Sequence, residues 1–489
     1  MEESPRGCRK RAHSSSSSSP SPPSPISKKP QTFPSFQDIP NLPSNIKSLC
    51  HLIATTSAAT VEHSLQSAAI SVIPHDVEEV LKLSYGFPGQ AVKFFRWSGR
   101  HLNDNHTPYS WNLVVDILGR NRFFDPMWDA VKSMNKEGLL SLATFASVFS
   151  SYVAADRIRE AIMAFEIMDY YGCVRDVVAL NSLLSAICSN GRTLDACDYL
   201  QVAKKFVRPD TDTFAILMEG WEGEKSVVGA KETFAEMVIE IGWDPANVPA
   251  YDSFLCTLVR GHDGLLEAIK FVDSMRDRRC YPGVRFLKAA LDECVKCHDV
   301  RTAEFFWEVL VVGKVLQPTA EMYNLMIGLC CYRGDTDAAR RMLDEMVYQG
   351  AFPDVVTYNL LFKLLLKRRK LREASSVFAE MVQNECVPER DNCDVAVKAY
   401  VDCGEPVMAI KVWKCLVENY KKDLDRTANF LVVGLCDLNR PQEAVKYAED
   451  MIGRGIRLSS STLSKLRQSL VKERREYVYE DLLRKWKSH

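Results

Sequence analysis

Apolar side chains recur along this chain at the period of an α-helix, and the helices they define come in pairs. Between residues 320 and 354, Tyr323, Met326, Ile327 and Cys330 fall at i, i+3, i+4 and i+7, one apolar stripe on a first helix. Gly334-Asp335 then interrupts the pattern. Ala339, Met342, Leu343 and Met346 repeat the spacing on a second helix, after which Gly350 suits a helix end and Pro353 prevents continuation. Each helix carries one sticky face that only a neighbouring pair can cover.

The following 35 residues repeat this design. Met322-Tyr323-Asn324-Leu325 aligns with Thr357-Tyr358-Asn359-Leu360, and the stretch Ala339 to Met346 with Ala374 to Met381. Both units close on a proline and an acid, Pro353-Asp354 and Pro388-Glu389. Further frames begin at 108, 142, 177, 211, 248, 284, 390 and 425, which makes ten units of 34 to 37 residues over 108–459. Repetition at this period predicts an all-α solenoid of helix-turn-helix units. The length agrees, because 489 residues exceed the roughly 250–300 that one core can serve. A small residue early in the second helix recurs as Ala161, Ala196, Ala230, Ala303, Ala339, Ala374, Ala409 and Ala444, which lets two helices cross closely. Met134, Met168, Met237, Met275, Met346, Met381 and Met451 recur near the end of that helix and read as core packing.

The flanks differ. Residues 41–107 read as a helical lead-in, in which 91–97 resembles the second helix of a degenerate first unit. Residues 460–489 begin like another unit and then become charged, which suits the polar cap that an array end requires. Residues 1–40 hold a serine run, Ser-Pro alternation and Lys28-Lys29, with no acid between Glu3 and Asp38. A basic, Ser-rich, acid-poor leader reads as an organelle transit peptide, with plain disorder or a nuclear import signal as the alternatives.

Charge narrows the function classes. Residues 1–30 and 460–489 each carry +4, so with −1 over the whole chain the span between them is −9. Affinity for a polyanion must therefore come from local stripes of cations rather than from net charge. The sixteen cysteines follow the helical repeat and read as reduced core residues. Cys294-Val-Lys-Cys297-His298 has the look of half a zinc site, yet Cys188, Cys331 and Cys436 occupy one interior place of their units, which favours packing. No apolar run approaches the ~20 residues of a membrane span.

A period centred on 35, a first helix opening on Tyr-Asn, and closure on proline plus a polar residue resemble the pentatricopeptide repeat family in its plain RNA-binding class. The peptide-binding tetratricopeptide repeats have a period of ~34 and expect Trp and Gly landmarks in the first helix, which are absent here. The resemblance implies a right-handed superhelix that binds single-stranded RNA one base per repeat. It also implies that the fifth and the last residue of each unit read the base and that an apolar second residue stacks on it. Carried over, Asn181 with Asp210 and Asn324 with Asp354 resemble uracil readers, and Asn112 with Ser141 and Asn429 with Ser459 resemble cytosine readers. Asn359 with Glu389 is a near match for a pyrimidine, and Tyr109, Val178 and Val356 would stack. The reading row departs from the pattern at Ala146, Ala215, Asp252, Lys288 and Asp394, and Glu321 and Asp391 stand at second places. Parallel docking then implies a gapped site of the form C–?–U–?–?–?–U–Y–?–C. Arg120, Arg260, Lys296 and Lys367 share one place on the first helices and are candidate phosphate contacts.

The reading is of a non-enzyme without cofactor or metal. After residue 459 the remaining 30 residues hold no His-x-Glu with paired cysteines, the mark of a zinc deaminase. The expected partner is an organellar transcript, mitochondrial or else chloroplast, bound by a monomer that masks, stabilises or remodels it or recruits RNA-processing proteins. A protein-interaction scaffold without specific RNA binding is the alternative, motivated by the −9 body and the unreadable middle units.

Overall fold

The structure is a computed structural model that describes Phe33 and residues 35–488. Nearly all of the leader expected over 1–40 lies outside those residues. The described residues are all-α, and they form two compact bodies divided between Ser151 and Tyr152.

The first body opens with the helices Ser44–Thr55, Val61–Ala68, Pro74–Lys82 and Pro88–His101. The last two make a pair, with the stretch around Ala91, Phe94, Phe95 and Trp97 buried on the second of them. Proline at the first position starts both, where its missing N–H costs nothing. Pro108–Arg120 and Phe124–Lys136 follow as the first regular pair.

The second body continues the alternation to the end of the described chain. A first helix begins at Val177, Thr211, Val248, Val284, Ala320, Val355, Arg390, Asp425 and Ser460, and a second helix follows each. Successive first helices pack on one another from Val177–Ser189 through to Ser460–Lys472. The second helix of nearly every pair also reaches the first helix of the next. The core is a continuous apolar seam between neighbours; from residue 327 to 482 it forms a single cluster.

Local sequence sets the joints. Gly334 ends its helix at φ 74°, a left-handed conformation that an L side chain resists, and Asp335 caps the next helix by accepting the Ala338 N–H at 2.9 Å. Gly434 sits where its helix crosses the preceding first helix, and a Cβ there would lie 2.1 Å from Val401 Cγ1. The small residues of the second helices, from Ala196 to Ala444, are all fully buried. In the unit from 284 the second helix, Val300–Trp307, ends in a π-helical turn over Glu308–Val312. That turn keeps Leu310 and Val311 in the core.

Every described cysteine is a free thiol. Burial pushes Cys256 and Cys294 up to about 12, which marks inert packing groups. Among the described residues no group of three or more His, Cys, Asp or Glu side chains is placed to hold a metal ion. Cys294 is buried, whereas His298 stacks on the Tyr332 ring at 4.0 Å. No helix among the described residues is long and apolar enough to cross a membrane.

Candidate nucleic-acid interface

The first turn of each first helix divides its side chains by position. From 108 to 425, the third residue of every unit is buried and the second is exposed. The fifth lies one helical turn from the second, on the same side, and is half-buried or buried. Tyr109, Val178 and Val356 are 48%, 57% and 53% exposed, apolar surface beside the fifth residue, with the Lys82 ammonium lying 5.3 Å over the Tyr109 ring. A planar base could lie against such a surface.

The last residue of a unit is also the N-cap of the next first helix. Asp210 accepts the Thr213 N–H at 2.8 Å, and Asp354 accepts the Thr357 N–H at 2.9 Å. These caps reach back to the preceding unit. The Asn181 amide N–H donates to Asp210 Oδ1 at 3.0 Å, while Asn181 Oδ1 accepts the Thr213 hydroxyl at 2.7 Å. Asn324 repeats the arrangement: one amide N–H is shared between Asp354 Oδ1 at 3.1 Å and Oδ2 at 3.2 Å, and its Oδ1 accepts from Thr357 at 2.6 Å. A carboxylate can only accept, so the amide nitrogen must face Asp and its oxygen must face Thr. Orientation is thereby fixed, and each amide keeps one N–H and one lone pair uncommitted. Burial on its own would raise the Asp210 and Asp354 carboxyls, but the bonds from Asn and Thr outweigh it and hold both below their ordinary value.

The other three asparagines are held differently. Asn359 donates to the Val355 and Val387 carbonyls at 2.9 and 3.4 Å and accepts from the Glu389 N–H at 2.7 Å and the Asn392 amide at 3.0 Å. Its donors and acceptors are all in use, and the exposed Glu389 meets it through the backbone alone. Asn429 is likewise saturated: it donates to the carbonyls of Asp425 and Arg457 and accepts from the Ser459 N–H and the Thr462 hydroxyl. Asn112 Oδ1 accepts the Thr144 hydroxyl at 2.7 Å, and Thr144 Oγ1 accepts the Ser141 N–H at 3.4 Å. The five sequence-selected asparagines therefore fall into two kinds. Asn181 and Asn324, oriented by Asp and Thr, and Asn112, held by Thr144 alone, keep part of the amide uncommitted, whereas Asn359 and Asn429 spend theirs on backbone groups and one neighbouring side chain each.

The sequence reading missed the third-place threonine that ties five of the joints. Thr144, Thr213, Thr357, Thr427 and Thr462 all donate to the fifth residue of the preceding unit. Recurrence of Thr at that place was visible in the sequence, but it reads there as an ordinary helix-start preference.

Three of the four candidate phosphate contacts carry a partner. Arg120 pairs with Asp116 at 3.0 Å, Arg260 with Glu222 at 3.1 Å and Lys296 with Glu293 at 2.8 Å. Lys367 is exposed and has no ion pair among the described residues. At these three sites a phosphate must displace a carboxylate partner before it reaches the cation.

Comparison with known proteins bears on the repeats. Models of the pentatricopeptide repeat match residues 318–367, 353–390 and 426–456. A pentatricopeptide repeat-containing protein of Arabidopsis thaliana, named as mitochondrial, is 28% identical over 189 residues, 39% of this chain and 37% of that protein. A second from the same plant is 21% identical over 428 residues, 80% of this chain and 74% of its own length. The chain thus spans well under half of the first of these relatives. Among solved structures, the pentatricopeptide repeat protein PPR10 in complex with an 18-nt psaJ RNA element aligns over 90% of this chain and 67% of its own, with 19% identity and a TM-score of 0.39. Yeast Rmd9p in complex with a 16-nt target RNA aligns over 91% and 96%, with 10% identity and a TM-score of 0.35.

Proposed function

We propose that this chain, a pentatricopeptide repeat protein, binds single-stranded RNA and selects pyrimidines at a few of its units. The observation that carries the reading is the pair of oriented amides at Asn181 and Asn324, each locked between an acid and a threonine. A free N–H beside a free lone pair matches the polar edge of an unpaired uracil, which offers a carbonyl next to an N–H. The exposed Val178 lies one turn from Asn181 and supplies an apolar surface for the base. Asn112 with Ser141 is the candidate for a cytosine.

Binding of this kind needs no covalent step. A bound strand would be masked from nucleases, kept from pairing with itself, or handed to a processing protein. The Ser-rich basic leader and the relatives named as mitochondrial favour an organelle, with the mitochondrion first.

Crosslinking and sequencing of RNA from cells expressing the tagged full chain tests this. The expected outcome is one organellar transcript with a gapped pyrimidine footprint. Recovery of protein partners without RNA would overturn the reading in favour of an interaction scaffold, for which the saturated Asn359 and Asn429 already offer a structural reason.

A further inference from the structure

The row of second and fifth places changes character between the two oriented amides. In the units from 211, 248 and 284 it holds Asp212 and Ala215, Pro249 and Asp252, then Arg285 and Lys288. Its two cations are not free. Arg285 reaches back 63 residues to Glu222 at 2.8 Å, and the same carboxylate also takes Arg260 at 3.1 Å. The Glu222 side chain is only 14% exposed, so its charge is poorly screened and holds both guanidinium groups firmly. Lys288 pairs with Glu321, the second residue of the next unit, at 2.8 Å. Asp252, buried, accepts the Gly283 N–H at 2.6 Å and offers no donor to a base.

A strand crossing this stretch meets a row already cross-linked by ion pairs. To reach Arg285 or Arg260, a phosphate must displace a carboxylate of its own sign. Building on the RNA-binding reading above, we infer that Glu222 and Glu321 close these three units to RNA, so that the protein takes a two-part strand. One uracil sits at Asn181 and the other at Asn324, with three unread nucleotides between them, one for each closed unit. The glutamates are then specificity determinants: they forbid nonspecific phosphate binding in the middle and make the distance between the two uracils a recognised feature.

The test uses the full chain and RNAs with two uracils separated by two, three or four adenines. Wild type is expected to favour the three-nucleotide spacer. E222Q and E321Q, which keep shape and remove one charge, are expected to bind all three strands about three- to tenfold tighter at low salt. Their spacer preference should weaken, and the slope of log affinity against log salt should steepen by about 0.7 for each phosphate gained. Glu321 is 61% exposed, so its variant leaves the fold undisturbed even if Glu222→Gln does not. Unchanged affinity and slope in E321Q, or equal binding of the three spacers by wild type, with the uracil preference intact, would overturn this inference alone. Absence of binding by every protein would overturn the RNA reading beneath it.

Discussion

Asn324 and Asp354 stand 30 residues apart, yet they share a side-chain hydrogen bond of 3.1 Å across the joint between two units. The same Asp354 caps the helix that begins at Val355. One carboxylate thus starts a helix and orients the amide of the unit before it. The site and the fold share an atom at this joint, so changes there should separate into effects on stability and effects on recognition.

Thr357→Val removes a hydroxyl while keeping volume. It deletes the donor to Asn324 Oδ1 and the acceptor for the Asp354 N–H. A loss of about 0.5–2 kcal/mol of stability is expected from the broken cap. Affinity for a uracil-containing RNA should fall as well, because the amide is then free to turn. Calorimetric melting together with an RNA titration checks both; a stable variant with wild-type affinity would leave the threonine no orienting role.

Asn359→Ala is expected to act in the opposite proportion. Its buried amide satisfies the Val355 and Val387 carbonyls and the Glu389 N–H in a part-buried setting and the Asn392 amide in a buried one. Leaving them unpaired costs about 1–3 kcal/mol per group stranded. Thermal unfolding should shift down clearly, and base preference should barely move. A variant of native stability that loses pyrimidine preference would assign Asn359 to reading after all.

Gly434→Ala tests the packing of the array away from the site. The added Cβ would meet Val401 at 2.1 Å, closer than any side chain tolerates. Overpacking of this kind costs about 1–3 kcal/mol. The readout is urea unfolding, with loss expected first in the C-terminal units. An unchanged midpoint would mean that the two helices can part without penalty.

Acid provides a further check. Asp210 and Asp354 have carboxyls held below their ordinary value of 3.8. A depressed folded-state value means that their contribution is fully present above the unfolded value and is lost as pH falls through the folded one. Stability and RNA binding should therefore be flat with respect to these groups from pH 5 to 8 and decline only below about pH 4. Binding that titrates near neutrality would point to other groups.

Much of this was legible in the sequence because a repeat is its own control. Tyr323 and Tyr358 recur at one place, and both prove buried. The unit ends at Asp210 and Asp354 were readable because an acid before an apolar run is a helix start, and that is what they cap. What the sequence could not separate was one asparagine from another. Asn324 and Asn359 follow the same Tyr, yet the residue 30 positions later decides whether the amide faces a carboxylate or a backbone N–H. Nor could it pair Arg285 with Glu222, since a contact over 63 residues has no local signature.

The most direct measurement is the affinity of the full chain for a single-stranded RNA with uracils at the two amide positions, set against the same RNA with adenines there. Wild type is expected to prefer uracil by about 1–3 kcal/mol per base read, and the Asn181→Ala/Asn324→Ala double variant is expected to lose that preference while keeping its helix content. Equal affinity of wild type for the two RNAs, or a preference that survives both substitutions, would contradict the claim that these amides read the base.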